Sequence, residues 1–214
     1  NYRAGSVIRQ MTNAYSVSAD YKRTFNNIHD LNVKATARFM QHSIETDIAD
    51  GYNTANDYFK SLNYLVDELR TYGGNNEWNY MSYALHGTYT WNKMLRASAG
   101  FNLDATSASG ADASRLGFFP SAGLTFMAAN TGALPSWVNL LNITLEGSYS
   151  GNARFSSNYG KDYYTAANPF SLGGIARANM PNTKLSWETT RQIDLGFEAA
   201  AFDNRISLGF NYYF

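Results

Sequence analysis

Alternation of apolar and polar residues with a period of two recurs eight times along this chain. The strongest runs cover residues 15–25, 31–39, 81–91, 95–103, 193–199 and 206–214, with weaker runs at 122–128 and 143–149. Because successive side chains of a β-strand point to opposite faces, each run predicts a strand with one apolar and one polar face. Most runs reach or approach the roughly 9 to 11 residues that a tilted strand needs to cross a bilayer.

The connections between these runs alternate in length. Residues 26–29, 92–93 and 203–204 form short connections, residues 41–80, 105–119 and 151–184 form long ones, and residues 129–141 are intermediate. Short turns on one side and long loops on the other are typical of outer-membrane barrels, in which the short turns are periplasmic. In the intermediate connection, Pro135 at a first helical position predicts a short interfacial helix within residues 134–141.

This orientation predicts where the two ends of the chain lie. The first strand starts on the extracellular side, and the eighth runs outward to Phe214. Both ends are therefore expected outside the cell, whereas a complete bacterial barrel has both ends in the periplasm. The parity of the strands predicts that further strands precede and follow this segment.

Composition supports a membrane barrel and excludes other classes. Only 16% of the residues are charged, 15% are aromatic, the net charge is zero and cysteine is absent. Mean hydropathy is −0.38. A barrel strand alternates apolar and polar residues, so the average hydropathy of the chain conceals its apolar face. No window reaches the roughly 18 to 20 apolar residues of a membrane-spanning helix. The sequence has no cluster of basic residues of the kind that binds nucleic acid, so that class of function is excluded. The predicted fold class is all-β, a transmembrane antiparallel β-barrel.

Catalytic and metal-binding patterns are not found in the sequence. His29, His42 and His86 lack the spacing of a metal site and are interpreted as a turn residue, the start of a loop and an inward strand residue. Asp47, Asp50 and Asp57 lie near Gly51 without the order of an EF-hand, so they are interpreted as solvated loop carboxylates. We therefore predict no enzyme activity, no cofactor and no metal.

Charged residues recur on the polar faces of the predicted strands. These positions would line a substrate path or hold a plug through ion pairs, although polar residues are ordinary in the lumen of any barrel. The ordinary interpretation is favoured for each residue, and some are expected to contact a plug. The set comprises Asp20, Lys22, Lys34, Arg38, Arg96, Asp104, Glu146, Glu188, Asp194 and Glu198.

Two of the predicted loops are rich in aromatic residues. Aromatic rings with Asn and Asp neighbours serve in sugar and peptide recognition, and Tyr is also frequent at protein interfaces. Packing among the loops themselves is the simpler alternative. The candidate residues for contact with a substrate or partner are Tyr52, Trp78, Tyr159, Tyr163 and Tyr164.

The last third of the chain resembles one family in particular. Residues 182–198 read NTKLSWETTRQIDLGFE, and residues 202–213 read FDNRISLGFNYY. These segments are similar to the SusC/RagA family of TonB-linked outer-membrane transporters of Bacteroidetes, whose pattern is N-x-x-L-x-W-E-x-T-x-Q-x-x-x-G. FPSAGL at residues 119–124 and Gly151-Asn152 are similar to further family motifs. Alternation through the W-E pair predicts that Trp187 points outward and Glu188 inward.

The resemblance implies a function that needs more than this chain. Barrels of the family have about 22 strands, so eight strands are about a third, and residues 1–214 would be part of one barrel domain without the plug domain and TonB box. The implied activity is import of oligosaccharides or peptides across the outer membrane, energised by TonB and assisted by a SusD-like lipoprotein over the extracellular loops. The expected partners are therefore this lipoprotein, TonB, the lipid bilayer and a glycan or peptide substrate, with no nucleic acid.

Two other functions stay open at this point. A self-contained eight-stranded barrel with a structural or adhesion role would have a lumen filled by side chains. An outer-membrane hydrolase would require a serine or carboxylate constellation at the rim of the barrel, and the sequence offers none. Termini on the periplasmic side would favour the small barrel.

Overall fold

β-Strands dominate the computed structural model, which describes residues 2–54, 58, 65–153, 157–162, 164–167 and 173–214. Two short 3-10 helices, Ala128–Thr131 and Ser157–Gly160, lie in the connections. No helix among the described residues has the length and apolar character to span a membrane. The ten strands are β1 (Tyr2–Phe25), β2 (His29–Thr54), β3 (Leu65–Trp91), β4 (Leu95–Thr106), β5 (Leu116–Met127), β6 (Val138–Asn152), β7 (Tyr164–Ala167), β8 (Gly174–Arg177), β9 (Glu188–Ala201) and β10 (Ile206–Tyr213).

Eight of the strands form one antiparallel sheet, and each of the eight predicted runs lies in one of them. Its order is β1-β2-β3-β4-β5-β6-β9-β10, while β7 and β8 form a separate two-stranded hairpin. The predicted all-β antiparallel fold is confirmed. β1 and β10 are the two edges of the sheet, so these eight strands form an open sheet rather than a small closed barrel. This order favours a segment of a larger barrel over the self-contained one.

The three tight turns use residues that accept left-handed backbone conformations. Asn26 and Asn27 have φ values of 49° and 56°, and Asn92 has a φ of 48°. Asparagine tolerates this region better than most residues, so its presence here suits a hairpin connection. Phe202 also has a positive φ of 56°, and its ring stacks on Trp137 with 5.3 Å between the centroids. That stacking helps to hold the turn between β9 and β10.

The register places the apolar residues of the eight predicted runs on one face of the sheet. Tyr21 pairs with Val33, and further across the sheet Leu145 pairs with Leu195 and Phe197 with Phe210. Leu208 on this face is 62% exposed, and the described residues bury only four apolar side chains below the surface. A large exposed apolar face on a sheet whose other face is polar suits contact with lipid. We call it the outer face, and the opposite face the inner face.

The first predicted long loop, residues 41–80, is wrong for most of its length. β2 continues to Thr54 and β3 begins at Leu65, so the two strands remain paired through most of this segment. β1 likewise begins at Tyr2, well before the predicted start at residue 15. Hydrophobic alternation predicts a strand only as far as apolar residues continue on the outer face. The backbone pairing continues beyond that point.

The predicted interfacial helix within residues 134–141 is also wrong. A turn closes there through the hydrogen bond from the Val138 amide to the Pro135 carbonyl, and β6 begins at Val138. Leu141 then pairs with Ala199 in β9, so pairing with a neighbouring strand prevails over the local helix signal. The helical turn in this connection lies earlier, at Ala128–Thr131, and ends at Gly132 with a φ of 73°.

Candidate functional site

The polarity of the two faces inverts along β2 and β3. Between the turns and about Phe39, apolar residues occupy the outer face, as in Leu31, Val33 and Phe39 of β2. Beyond that level the outer face of these two strands carries Glu45 and Glu77, and their inner face carries the apolar and aromatic residues Ile44, Ile48, Tyr72 and Trp78. Since a lipid-facing surface excludes exposed charge, the inversion marks the level at which these strands leave the bilayer.

A cavity of about 640 Å³ opens on the inner face just beyond this level. Arg38, His42, Trp78 and Tyr80 line it from β2 and β3, and Trp187 closes the opposite side. The remaining lining residues are Met40, Ile44, Asn76, Thr106, Gly151, Asn152 and Ala153. We call this space the upper cavity. It combines aromatic faces, amide groups and one guanidinium, which are the groups used to bind polar organic ligands.

Pairing across three strands fixes the side chains of the upper cavity. Thr12, His42 and Trp78 occupy one row, with Thr12 opposite His42 and His42 opposite Trp78. The Thr12 hydroxyl lies 2.8 Å from His42 Nδ1, and the imidazole and indole centroids are 5.2 Å apart. Because both flanking strands restrain it, the imidazole presents a defined surface next to Trp78.

Two buried polar groups in this region keep free bonding capacity. Asp104 is 6% exposed, and its Oδ1 has no hydrogen-bond partner among the described residues. Trp187 Nε1 is likewise buried without an acceptor in the described part of the chain. Buried polar groups are normally satisfied. Trp187 lines the upper cavity, whereas Asp104 lies two residues before Thr106, which lines it.

The predicted outward orientation of Trp187 is wrong. Its indole packs edge-on against Phe119, with 5.2 Å between the centroids, and it lines the upper cavity on the inner face. β9 begins at Glu188, so the strand alternation used for the prediction does not reach Trp187. Glu188 does lie on the inner face, where Asn152 Nδ2 donates a hydrogen bond to its carboxylate at 3.2 Å.

Phe119 fills a gap between β5 and β6 where the two strands are no longer paired, which we call the parting. The ladder between these strands ends at the pair Ser121 and Ser148, whereas β5 stays paired with β4 as far as Leu116. The Phe119 ring is 5% exposed and lies so close to Gly151 that a Cβ there would meet the ring at 2.0 Å. The glycine therefore makes room for the ring that closes the gap.

Three connections join above the upper cavity into one buried cluster. The Gly110 amide donates to the Leu185 carbonyl at 2.8 Å, and the Asp112 amide donates to the Thr183 carbonyl at 2.9 Å. The Asn182 amide donates to the Tyr159 carbonyl at 2.8 Å. These backbone bonds tie residues 107–115, 157–160 and 182–185 together. We call these joined connections the loop roof, since Thr106 and Trp187, which lie next to two of them in the sequence, line the upper cavity.

The predicted aromatic site residues fall into two groups. Tyr52 and Trp78 lie on the inner faces of β2 and β3 rather than in a loop, and only Trp78 lines the upper cavity. Tyr159 lies in a 3-10 helix and Tyr164 begins β7, where both side chains are more than 60% exposed. Tyr163 lies outside the described residues. The structure therefore separates these residues, and Tyr52 instead contacts Tyr2 with a centroid distance of 5.2 Å.

Sequence reasoning did not assign Arg38, His42 and Tyr80 to a common site. The sequence pattern predicts Arg38 only as an inward charge and His42 only as the start of a loop. The signal that could have found them is the continued two-residue spacing of Arg38, Met40, His42 and Ile44 past the end of the apolar run. That spacing keeps all four side chains on one face.

The three histidines bond to neighbouring side chains rather than to one another. His29 Nδ1 lies 2.6 Å from the Tyr89 hydroxyl, and His86 Nε2 lies 3.2 Å from Asn102 Oδ1. Within the described residues, no three His, Cys, Asp or Glu side chains gather in a geometry that could hold a metal ion.

A second inner-face cavity, of about 570 Å³, lies at the opposite end of the sheet, close to the short turns. Its charged lining residues are Lys22, Arg23, Asp30, Lys93 and Arg96, with Thr and Asn side chains between them. Arg23 pairs with Leu31 on the outer face and holds its guanidinium over the Phe25 ring, so three cations, Lys22, Lys93 and Arg96, face one carboxylate. We call this space the lower cavity. Its excess of positive charge suits an acidic protein surface.

Comparison with known proteins gives a consistent result. A family model described as TonB dependent receptor-like, beta-barrel matches residues 1–214. The chain is 38% identical over 65 residues to TonB-dependent receptor P3 of Formosa agariphila, covering 30% of this chain and 6% of that protein. It is 23% identical over 210 residues to TonB-dependent receptor P26 of the same organism, covering 91% of this chain and 20% of that receptor.

Solved structures share the fold over nearly the whole chain. The RagAB peptide transporter superposes with a TM-score of 0.86 at 22% identity, covering 99% of this chain and 24% of that one. The RagAB peptide importer in its open-open state also gives 0.86, at 21% identity and the same coverage. The chain thus spans about a quarter of the length of these transporters. The predicted membrane-barrel fold and the resemblance to TonB-linked transporters are confirmed.

Proposed function

Because this chain belongs to the TonB dependent receptor-like β-barrel family, we propose that it forms part of the wall of an outer-membrane channel that imports oligosaccharides or peptides. The family resides in the outer membrane and consists of transport proteins, not enzymes. In the proposed assembly, this sheet supplies about a third of a barrel of about 22 strands. The plug domain and the TonB box belong to other parts of the longer receptor.

The inversion of polarity along β2 and β3 is the observation that carries this proposal. A strand that stayed within the membrane would keep its apolar residues outward, but here Trp78 and Ile44 turn inward once Glu45 and Glu77 appear outside. Aromatic and apolar side chains on an inner wall above the bilayer face the entrance of the lumen. This arrangement suits a barrel wall that contacts either an incoming ligand or a protein that covers the entrance.

The upper cavity is the proposed contact site for the imported molecule. The Trp78 and Trp187 rings offer flat faces for a sugar ring or an apolar side chain, and Arg38 offers a charged donor. Trp187 Nε1 keeps a donor unused among the described residues, and the amide groups of Asn76 and Asn152 line the same space. Both proposed substrate classes carry hydroxyl or amide groups that match this set.

The proposed protein partner on the extracellular side is a SusD-like lipoprotein. The exposed rings of Tyr159 and Tyr164 lie in the connections between β6 and β9, and Tyr52 and Tyr2 form a pair near the far end of the first hairpin. Tyr163 is included in this proposal on the basis of the sequence alone. Exposed tyrosines with apolar rings and polar tips suit such an interface.

The lower cavity is the proposed contact site for the plug, through which TonB would act. Lys22, Lys93 and Arg96 turn their charge toward the lumen close to the periplasmic turns. A plug that carries acidic side chains at this height would be held by ion pairs. This assignment retains the expectation that some inward charges contact the plug.

The test uses the full-length receptor in a strain that lacks it, grown on the glycan or peptide mixture that induces its expression. Trp78→Ala should lower uptake at least fivefold, because a flat ring of the cavity is lost, and deletion of tonB should abolish uptake. Glu77→Ala is the matched control, since Glu77 is the next residue of β3 and lies on the outer face. Uptake that persists without TonB would overturn the transport proposal, and equal loss in both variants would overturn the role of the cavity.

A further inference from the structure

Arg191 places a positive charge on the outer face at a height where its neighbours are apolar. It lies opposite Tyr149 in β6, and its guanidinium carbon stands 5.7 Å from the centroid of that ring. The outer-face positions that follow it in β9, Ile193, Leu195 and Phe197, are all apolar. Its side chain is exposed, and no carboxylate pairs with it in the described part of the chain.

A cavity of about 720 Å³ lies beside Arg191. Most of its lining residues belong to the outer face: Pro120, Ala122, Gly147, Tyr149, Arg191, Ile193 and Phe214. Its wall is mainly apolar with one cation at the rim, an arrangement that suits an amphiphile with an acyl chain and an anionic head group. We call it the outer groove.

The parting between β5 and β6 lies at the same place. Ser121 and Ser148, the last pair of that ladder, both line the outer groove. Beyond them Pro120 contributes no amide hydrogen, and the two strands no longer bond to each other within the described residues. Strands do not part deep within the hydrocarbon, because unpaired backbone groups are costly there, so the parting belongs at the level of the head groups.

The height of Arg191 agrees with that placement. It lies ten residues before Ala201, where β9 meets its short turn. At a rise of about 3.3 Å per residue and a tilt of about 40°, this distance is about 25 Å along the membrane normal, the height of the apolar band of a barrel. In the proposed orientation the short turns are periplasmic, so Arg191 lies at the outer-leaflet boundary.

We propose that the outer groove binds a phosphorylated glycolipid of the outer leaflet. Arg191 pairs with a phosphate of the head group, Tyr149 contacts the sugar, and an acyl chain lies along Ala122, Gly147 and Ile193. Arginine suits phosphate because its planar guanidinium donates two parallel hydrogen bonds. The site rests on the proposed orientation in the outer membrane but not on the identity of the transported substrate.

The experiment measures binding of purified lipid A to the full-length receptor by native mass spectrometry in detergent. Arg191→Gln should weaken binding about tenfold, because a charge-assisted contact is lost. Gly147→Leu should weaken it as well by filling the groove, and it should fold normally since a Cβ at this position meets no atom within 4 Å. Arg23→Gln is the matched control, because Arg23 stacks on Phe25 near the periplasmic border.

The outcomes separate the lipid site from transport and from nonspecific adsorption. Unchanged lipid A binding in Arg191→Gln, or an equal loss in Arg23→Gln, would overturn the proposal. Displacement of lipid A by an equal concentration of phosphatidylglycerol would also overturn it, because the groove would then select only negative charge. Uptake by Arg191→Gln should equal that of the unmodified receptor, so failure of the transport proposal would be seen separately.

Discussion

The indole of Trp187 meets the ring of Phe119 edge-on, with 5.2 Å between the centroids, and this contact joins the start of β9 to the gap between β5 and β6. Phe119 is nearly fully buried, while the next residue before it, Phe118, is 56% exposed on the outer face. One ring closes the sheet on its inner face, and the other lies exposed on the outer face. Two adjacent phenylalanines therefore serve different purposes.

Phe119→Ala should open the parting between β5 and β6 and release the loop roof. Removal of a buried phenylalanine ring costs about 3 to 5 kcal/mol in well-packed sites. We expect a lower unfolding midpoint of the full-length receptor in detergent and faster proteolysis after residue 153. Phe118→Ala is the control and should leave proteolysis unchanged. Equal proteolysis of the two variants would mean that Phe119 does not hold the roof.

Gly110→Ala should displace the connection between β4 and β5 from residues 182–185. A Cβ at position 110 would lie 2.3 Å from the Thr183 carbonyl oxygen, so the backbones would have to separate, at a cost of about 1 to 3 kcal/mol. Hydrogen exchange of peptides covering residues 107–115 should accelerate at least tenfold. Gly74→Ala should change nothing, because a Cβ there meets no atom within 4 Å. Slow exchange in Gly110→Ala would contradict the close approach.

The strands within the membrane were predictable, because lipid outside and water inside impose a strict period of two. Beyond the bilayer that constraint ends, and Glu45 and Glu77 lie on the outer face while Ile44 and Trp78 lie on the inner face. The alternation that predicts β2 from its outward apolar residues therefore ends near Phe39. Backbone pairing needs no such pattern, and the register continues.

The upper cavity could not be predicted for a related reason. Its lining combines residues from β2, β3, β4, β6 and Trp187 at the start of β9, which are far apart in sequence and come together only in the folded sheet. The orientation of Trp187 depends on contact with Phe119, not on alternation. No local pattern carries that information.

Arg96→Glu should loosen the plug of the full-length receptor if the lower cavity holds it through positive charge. Reversing one of the three cations that face this space would replace an attraction by a repulsion at the plug surface. We expect increased sensitivity of the cells to vancomycin, a solute too large for general porins. Arg205→Glu, in the exposed turn before β10, is the control and should have no effect. Normal vancomycin resistance in Arg96→Glu would show that the lower cavity does not hold the plug.

The level at which β3 leaves the bilayer is the central claim, and cysteine accessibility along its outer face measures it directly. The chain has no cysteine of its own, so single cysteines can be placed at Asn75, Glu77, Tyr83 and Leu85 in a full-length receptor otherwise free of cysteine. A membrane-impermeant maleimide applied to intact cells should label positions 75 and 77 and leave 83 and 85 unlabelled. Equal labelling of all four positions would show that water reaches the whole outer face, and the membrane-barrel account would then be wrong.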